Sequence, residues 1–281
     1  EQEARASEAR MRQFIADASH ELRTPLTSIR GFAELHRKQG GGPGSDVDRS
    51  MGRIETEATR MGGLVEDLLL LARLDRDRPL ARESVDLVPL VADAAFDLHS
   101  LGPDRPVDVQ LPPTVGGGGA RGADDEGSSG PVLVAGDEAR LRQVLANLVS
   151  NALLHTPDGT PVLLRLGVDP VGRQAILEVA DQGPGLDGDQ AVRVFERFYR
   201  VDKARTRASG GAGLGLSIVA SITQAHGGTV EVDTAPGRGA CFRVRLPLAV
   251  PSPEGPAAGL SASTGEAPVD RAPSSMTGKF F

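Results

Sequence analysis

The chain has 281 residues, 39% of them hydrophobic and 25% charged, with a formal net charge of −7 at pH 7. That length supports two folded units with connecting segments. The acidic balance, with no basic cluster, disfavours a nucleic-acid backbone as partner. Cys241 is the only cysteine, which excludes an intramolecular disulfide and a multi-cysteine zinc site and fits a reducing cytosol. No stretch approaches the ~18–20 apolar residues that span a bilayer, and no signal peptide is visible. Glu1 in place of an initiating Met reads as a fragment whose sensor or membrane anchor lies upstream.

Residues 8–39 predict a long helix in which Met11, Ile15, Ala18, Leu22, Pro25, Ile29 and Phe32 form a heptad seam. The run Gly40-Gly41-Gly42-Pro43-Gly44 breaks it, and Ser45 or Asp46 can cap the next helix. Residues 47–76 repeat the period through Val47, Met51, Ile54, Ala58, Met61, Val65, Leu68 and Ala72. Two such helices make an antiparallel hairpin, and pairing two hairpins in a dimeric four-helix bundle buries both seams. On pattern alone, a plain coiled-coil stalk is an equal alternative.

From about residue 83 the texture changes to short elements. Strands are predicted at 84–87, 107–111, 132–136, 162–168, 174–181, 229–234 and 241–247, and helices at 89–100, 138–155 and 213–226. This reads as an α+β sandwich with helices layered on one face of a mixed sheet. Residues 115–131 are predicted to be a flexible loop and 249–281 an unstructured tail.

With Ile15 and Leu22 at position a and Ala18 at d, His20 falls at f beside Gln13, Thr27 and Glu34 in the same register. All are polar, so His20 faces outward rather than into a core. An idle surface histidine remains the alternative, and His36, His99 and His226 are assigned to it. His20 differs by its neighbours. Glu21 offers a carboxylate to orient an imidazole, Thr24 lies one turn on, and Pro25 frees a carbonyl and should bend the helix. These suit an exposed nucleophile.

The run from Phe14 to Thr27, containing Ser19-His20-Glu21-Leu22-Arg23-Thr24-Pro25, resembles the phosphoacceptor box of bacterial sensor histidine kinases, of an osmosensor-like class. The resemblance implies that His20 is phosphorylated, that Glu21 is its general base, and that Thr24 positions water when a regulator is dephosphorylated.

Four further segments are each weak alone. Asn147 and Asn151 lie one turn apart on an amphipathic helix, where two amide oxygens suit Mg²⁺ shared with phosphates but equally make a solvated stripe. Asp181-Gln182-Gly183-Pro184-Gly185 ends an apolar strand, either as a turn or as an acid with glycines that let a ligand approach. Val194-Phe195-Glu196-Arg197-Phe198-Tyr199-Arg200 precedes a polar stretch, 202–210, that fits a mobile lid or an ordinary loop. Gly211-Ala212-Gly213-Leu214-Gly215-Leu216 opens a helix whose N-terminus favours phosphate, without a Walker lysine.

In this order, and together with the histidine box, the four segments resemble the boxes of the gyrase, heat-shock chaperone, histidine kinase and MutL ATPase superfamily. The resemblance covers roughly residues 10–248. It implies ATP and Mg²⁺ as ligands, Asn151 as the metal-binding residue with Asn147 nearby, and Asp181 reading the adenine amine. Gly183, Gly185, Gly211, Gly213, Leu214 and Gly215 would shape the pocket and lid. Arg200 would meet phosphate or the helical domain. Leu154, His155 and Ala212 depart from the commonest pattern, and Lys203, Arg205 or Arg207 in the lid can take over a phosphate contact.

The expected organisation is a linker at 1–9, a dimerisation and histidine-phosphotransfer domain at 10–78, and an ATP-binding domain at 83–248 with its lid at about 186–212. The expected function is autophosphorylation of His20 from ATP, then transfer to an aspartate on a response regulator, with regulator phosphatase activity. The fragment would be cytoplasmic, a homodimer through its hairpin, and anchored in the bacterial membrane only by an upstream segment. A nucleotide-binding scaffold or pseudokinase is the alternative. A conformational ATP hydrolase is disfavoured because Asn147 stands where those relatives carry a water-activating Glu.

Overall fold

The computed structural model describes residues 16, 18–34, 45–74, 81–112, 130–201 and 212–249, with the backbone alone for 45–49. The glycine breaker at 40–44, the capping side chains of Ser45 and Asp46, and most of the loop at 115–131 lie outside the described residues. So do the polar stretch 202–210, with Lys203, Arg205 and Arg207, and also Gly211.

Residues 18–34 form helix α1, unbroken through Pro25, which is buried. Helix α2 spans Ser45–Leu74. The f positions His20, Thr27 and Glu34 are all exposed, as the heptad register requires, and Leu22 packs against the core. The seam of α2 differs from expectation. The inward stripe is Ser50, Ile54, Glu57, Met61, Leu64, Leu68 and Leu71, while Met51, Ala58 and Val65 face solvent with Leu69. Of the predicted seam, Ile54, Met61 and Leu68 lie on this stripe, while Met51, Ala58 and Val65 form an exposed edge of the same, wider apolar face. Its other edge packs inside the chain, against α1, where Arg53 lies 5.2 Å from the Phe32 ring centroid, and against the helix at Gly215–Ala225.

The α/β region starts with strand β1 (Glu83–Asp86) and helix α3 (Leu87–Leu101), whose N-cap Asp86 accepts from Val88 N at 3.1 Å. Strand β2 (Val107–Gln110), strand β3 (Leu133–Gly136) and helix α4 (Glu138–His155) come next, with Asp137 capping α4. Strands β4 (Val162–Asp169) and β5 (Gln174–Asp181) form a hairpin. The chain continues through a short helix α5 (Gly188–Arg193), helix α6 (Gly215–Ala225), and strands β6 (Thr229–Thr234) and β7 (Ala240–Pro247).

The five-stranded sheet has order β2-β4-β5-β7-β6, parallel only between β2 and β4. Strands β1 and β3 do not join it, as a single mixed sheet would require, but pair with each other antiparallel. One face of the large sheet carries Leu164, Leu166, Leu177, Val179, Phe242 and Val244, all buried in one cluster with Leu98, Leu148 and Ile222 from α3, α4 and α6. Ala249, expected to begin the tail, belongs to the fold, because its N–H donates to Leu133 O at 2.8 Å.

Candidate nucleotide and phosphoacceptor site

His20 sits exposed on α1. The Thr24 hydroxyl donates to the His20 carbonyl at 3.3 Å, a backbone bond one turn back rather than a contact to the ring. The Glu21 carboxylate faces Arg200 Nη1 at 3.9 Å instead of the imidazole expected to receive it. The Arg200 side chain is only 8% exposed, and its Nε and Nη2 have no hydrogen-bond partner among the described residues. A desolvated guanidinium with open donors is a strong anion receptor, since burying it unsatisfied is costly.

Arg200 is carried by the chain after α5, where Phe198 takes φ 61° and Phe198 N donates to Gly213 O at 2.9 Å. Gly213 is itself at φ 73°, and a Cβ there would stand 2.8 Å from Tyr199 O and 3.1 Å from Arg200 Cγ. Only glycine lets the two segments close this way. Residues 194–200 are a series of turns, and α5 just before them escaped sequence reading although its capping box of Asp187 and Gln190 is legible.

Asp181 is the last residue of β5, opposite Val162 and Ala240. Its Oδ1 accepts from Gly183 N at 2.8 Å. A Cβ on Gly183 would stand 2.8 Å from both that oxygen and the Thr156 methyl, so a small cradle lies beside the carboxylate. Gly185, at φ 68°, is closed in by the carbonyl of Ala235. Burial pushes the Asp181 carboxyl above its ordinary range. The N–H groups of Gly183 and Ala240, then the charges of His155 and Arg105, oppose this. His155 is exposed as a residue, yet partial desolvation lowers its imidazole; the Asp181 carboxylate opposes this shift and Arg200 adds to it.

Asn147 and Asn151 project from α4, both half-buried. Asn147 Nδ2 is buried without a partner among the described residues, and a Cβ on Gly215 would approach the Asn147 amide carbon and oxygen at 3.8 Å. Leu214, fully buried, takes the N-cap position of α6 and supplies no side-chain cap. Among the described residues no side chain caps the first amides of α6, which suits an external acceptor. The orphaned amide of Asn147, the open donors of Arg200, the uncapped helix and the cradle at Gly183 together fit a nucleotide with its phosphates. Leu154, where a basic residue is commoner, is exposed, and Ala212 packs against the core.

His226 is not an idle surface residue. Its Nδ1 lies 2.8 Å from Ile222 O, and its Nε2 accepts from Asp137 N at 3.0 Å. That pairing assigns the neutral Nδ1–H tautomer and ties the end of α6 to the cap of α4. No local signal marks it, because the partners are 89 residues apart.

Residues 136–250 match the family described as Histidine kinase-, DNA gyrase B-, and HSP90-like ATPase, and residues 10–77 match the His Kinase A (phospho-acceptor) domain. The chain is 47% identical over 243 residues to "Probable sensor histidine kinase TcrY" of Mycobacterium tuberculosis, across 86% of this chain and 47% of that protein. It is 35% identical over 238 residues to sensor histidine kinase WalK of Bacillus subtilis, across 84% of this chain and 36% of that one. The chain thus spans at most about half the length of these curated relatives. Among solved structures, full-length ShkA in complex with AMPPNP is 28% identical with a TM-score of 0.57, covering 85% of this chain and 46% of that chain. Histidine kinase AdeS of Acinetobacter baumannii, at 24% identity and TM-score 0.58 over 82% of this chain and 98% of that one, is alike in fold. With both domain types in this order on one chain, and relatives of one kind matching across both, the protein belongs to the sensor histidine kinases.

Proposed function

We propose that this chain transfers the γ-phosphoryl group of ATP to His20 and passes it on to an aspartate of a response regulator. One observation carries the reading most directly. The buried, under-bonded guanidinium of Arg200 faces Glu21, the neighbour of His20, so an anion receptor of the ATPase domain stands at the phosphoacceptor helix. An imidazole nitrogen attacks the γ-phosphorus, a P–N bond forms, the β–γ bridging P–O bond breaks, and ADP leaves. Glu21 takes the proton. The phosphoramidate is then available to a carboxylate on the partner.

Asp181 accepts from the adenine amine, with Gly183 and Gly185 lining its cradle, and Gly213, Leu214 and Gly215 present the α6 amides to phosphate. Asn151, with Asn147 beside it, would hold Mg²⁺, which neutralises phosphate charge. Lys203 and Gly211 complete the lid in this reading. Thr24 serves the reverse reaction, placing water for regulator dephosphorylation. The exposed Met51, Val65 and Leu69 support a homodimer through the hairpin. No helix among the described residues is long and apolar enough to cross a membrane. We further propose a cytoplasmic placement of this region, with a membrane anchor elsewhere in the protein.

Incubation with radiolabelled ATP and Mg²⁺ tests the reading. Acid-labile, base-stable label on the wild type, lost in His20→Gln, is expected. Absence of label on the wild type would sink the kinase activity, and label surviving in His20→Gln would sink the residue. Arg200→Ala should slow labelling at least about ten-fold, the scale of a lost charged phosphate contact.

A further inference from the structure

Arg105 lies in the α3–β2 connection, outside every segment that the nucleotide reading uses. It is only 5% exposed, and its backbone N–H donates to Gly102 O at 2.9 Å. Its guanidinium ties down the loop after α4 at three places. Nη1 donates to the Thr156 hydroxyl and to Thr160 O at 3.0 Å, and Nη2 donates to Pro157 O at 3.1 Å. The Thr156 hydroxyl in turn donates to Ala152 O at 2.6 Å, closing the end of α4. Among the described residues no carboxylate forms an ion pair with Arg105.

The loop so held is one wall of the cradle. The Thr156 methyl stands 2.8 Å, and His155 O 3.3 Å, from where a Cβ on Gly183 would be, with Asp181 Oδ1 opposite at 2.8 Å. A neutral side chain could cap the carbonyls of a helix end. A buried full charge costs several kcal/mol of desolvation, repaid here only by carbonyl and hydroxyl dipoles.

We propose that Arg105 is a positioning residue of the nucleotide site, clamping the 156–160 loop against Gly183. The clamp sets the width of the cradle that admits the base. The Arg105 charge, after the N–H groups of Gly183 and Ala240 and the charge of His155, also favours the ionised Asp181 carboxyl, the form that accepts from an exocyclic amine. The inference rests on the nucleotide reading and adds a residue that never touches the ligand.

The test uses the whole chain, with Mg²⁺ and ADP as the probe. ADP affinity is titrated for wild type, Arg105→Met and Arg105→Lys across mildly acid to neutral pH, with folding followed by circular dichroism. Arg105→Met should weaken ADP binding about ten-fold or more and move the acid loss of affinity to higher pH. Arg105→Lys keeps the charge but not the fork, so its acid limb should return towards the wild-type position while affinity stays reduced. Wild-type affinity and an unshifted acid limb in a folded Arg105→Met would overturn the proposal. Should that variant fail to fold, full wild-type affinity in Arg105→Lys would overturn it equally. A uniform loss of affinity with no pH shift in either variant would leave a mere helix cap and overturn it too. If the wild type does not bind ADP at all, the nucleotide reading falls and this inference with it; binding by wild type with indifference at Arg105 removes the inference alone.

Discussion

The helical hairpin and the α/β domain meet the same requirement, burial of apolar surface, in opposite ways. In the α/β domain three helices cover one face of a five-stranded sheet, and Leu98, Leu148, Leu164, Ile218 and Ile222 lose all contact with solvent. Among the described apolar side chains of α2 only Leu64, Leu70 and Leu71 are buried, while Met51, Val65 and Leu69 stay exposed, Leu69 by 53%. The first region completes its core within one chain. The second leaves apolar side chains of α2 uncovered within the chain, as the proposed homodimer requires.

Breaking the hairpin is the largest expected effect. Val65→Glu combined with Leu69→Glu places charges in the proposed shared core and should turn the dimer into a monomer by analytical ultracentrifugation. ADP binding should survive. A dimer that persists would mean that another face joins the copies.

The contrast sharpens with one truncation on each side. Leu148→Ala should cost about 2–5 kcal/mol of unfolding free energy, because a buried leucine leaves a cavity that its neighbours only partly refill. Met51→Ala should change the stability of the dissociated chain by less than about 0.5 kcal/mol, as for any surface site. Chemical denaturation reads both, and equal costs would erase the contrast between the two regions.

Asp181→Asn tests whether the α/β domain sacrifices stability for its ligand. Losing the charged acceptor should weaken ADP binding about ten-fold or more. Since burial raises the native carboxyl, the folded state holds the proton more tightly than the unfolded one. Stability therefore falls as pH rises from the ordinary carboxylate value through the native one. The variant lacks that loss, so its ligand-free thermal midpoint near neutral pH should be at or above wild type. A lower midpoint would show that the carboxylate is structural. His155 has the opposite sign. Its lowered native value means that stability falls as pH drops below the ordinary imidazole range, and His155→Phe should flatten that slope in pH-dependent melts.

A smaller loss than at Leu148 is expected at His226. His226→Ala removes the acceptor for Asp137 N and the link to Ile222 O, at a cost of about 1–2 kcal/mol in denaturation experiments. No change would mean that water replaces the imidazole at no cost.

Much of the fold is legible along the chain because it depends on local period. Helix α4 is predicted at its observed bounds, its cap Asp137 stands just before the apolar stripe, and β5 and β6 likewise match their alternation. The outward register of His20 comes from polar residues at seven-residue spacing. The period of α2 shows one apolar face, but not which of its residues pack within the chain and which stay exposed, because that division depends on distant neighbours. The separate β1–β3 pair is missed because alternation shows that strands exist but not what they pair with.

The sequence by itself determined which residues have the chemistry: an exposed histidine beside an acid, two amides one turn apart, an acid before a glycine cradle, and glycines opening a helix. These are relations within about two turns of chain, where spacing is geometry. Only the tertiary structure decided how they are served. Arg200 is buried facing Glu21, His226 joins α6 to the cap of α4, and Arg105 reaches the loop after α4 from 51 residues away. Such contacts bring together segments far apart in the chain, and no local periodicity encodes which distant partner a buried donor will find.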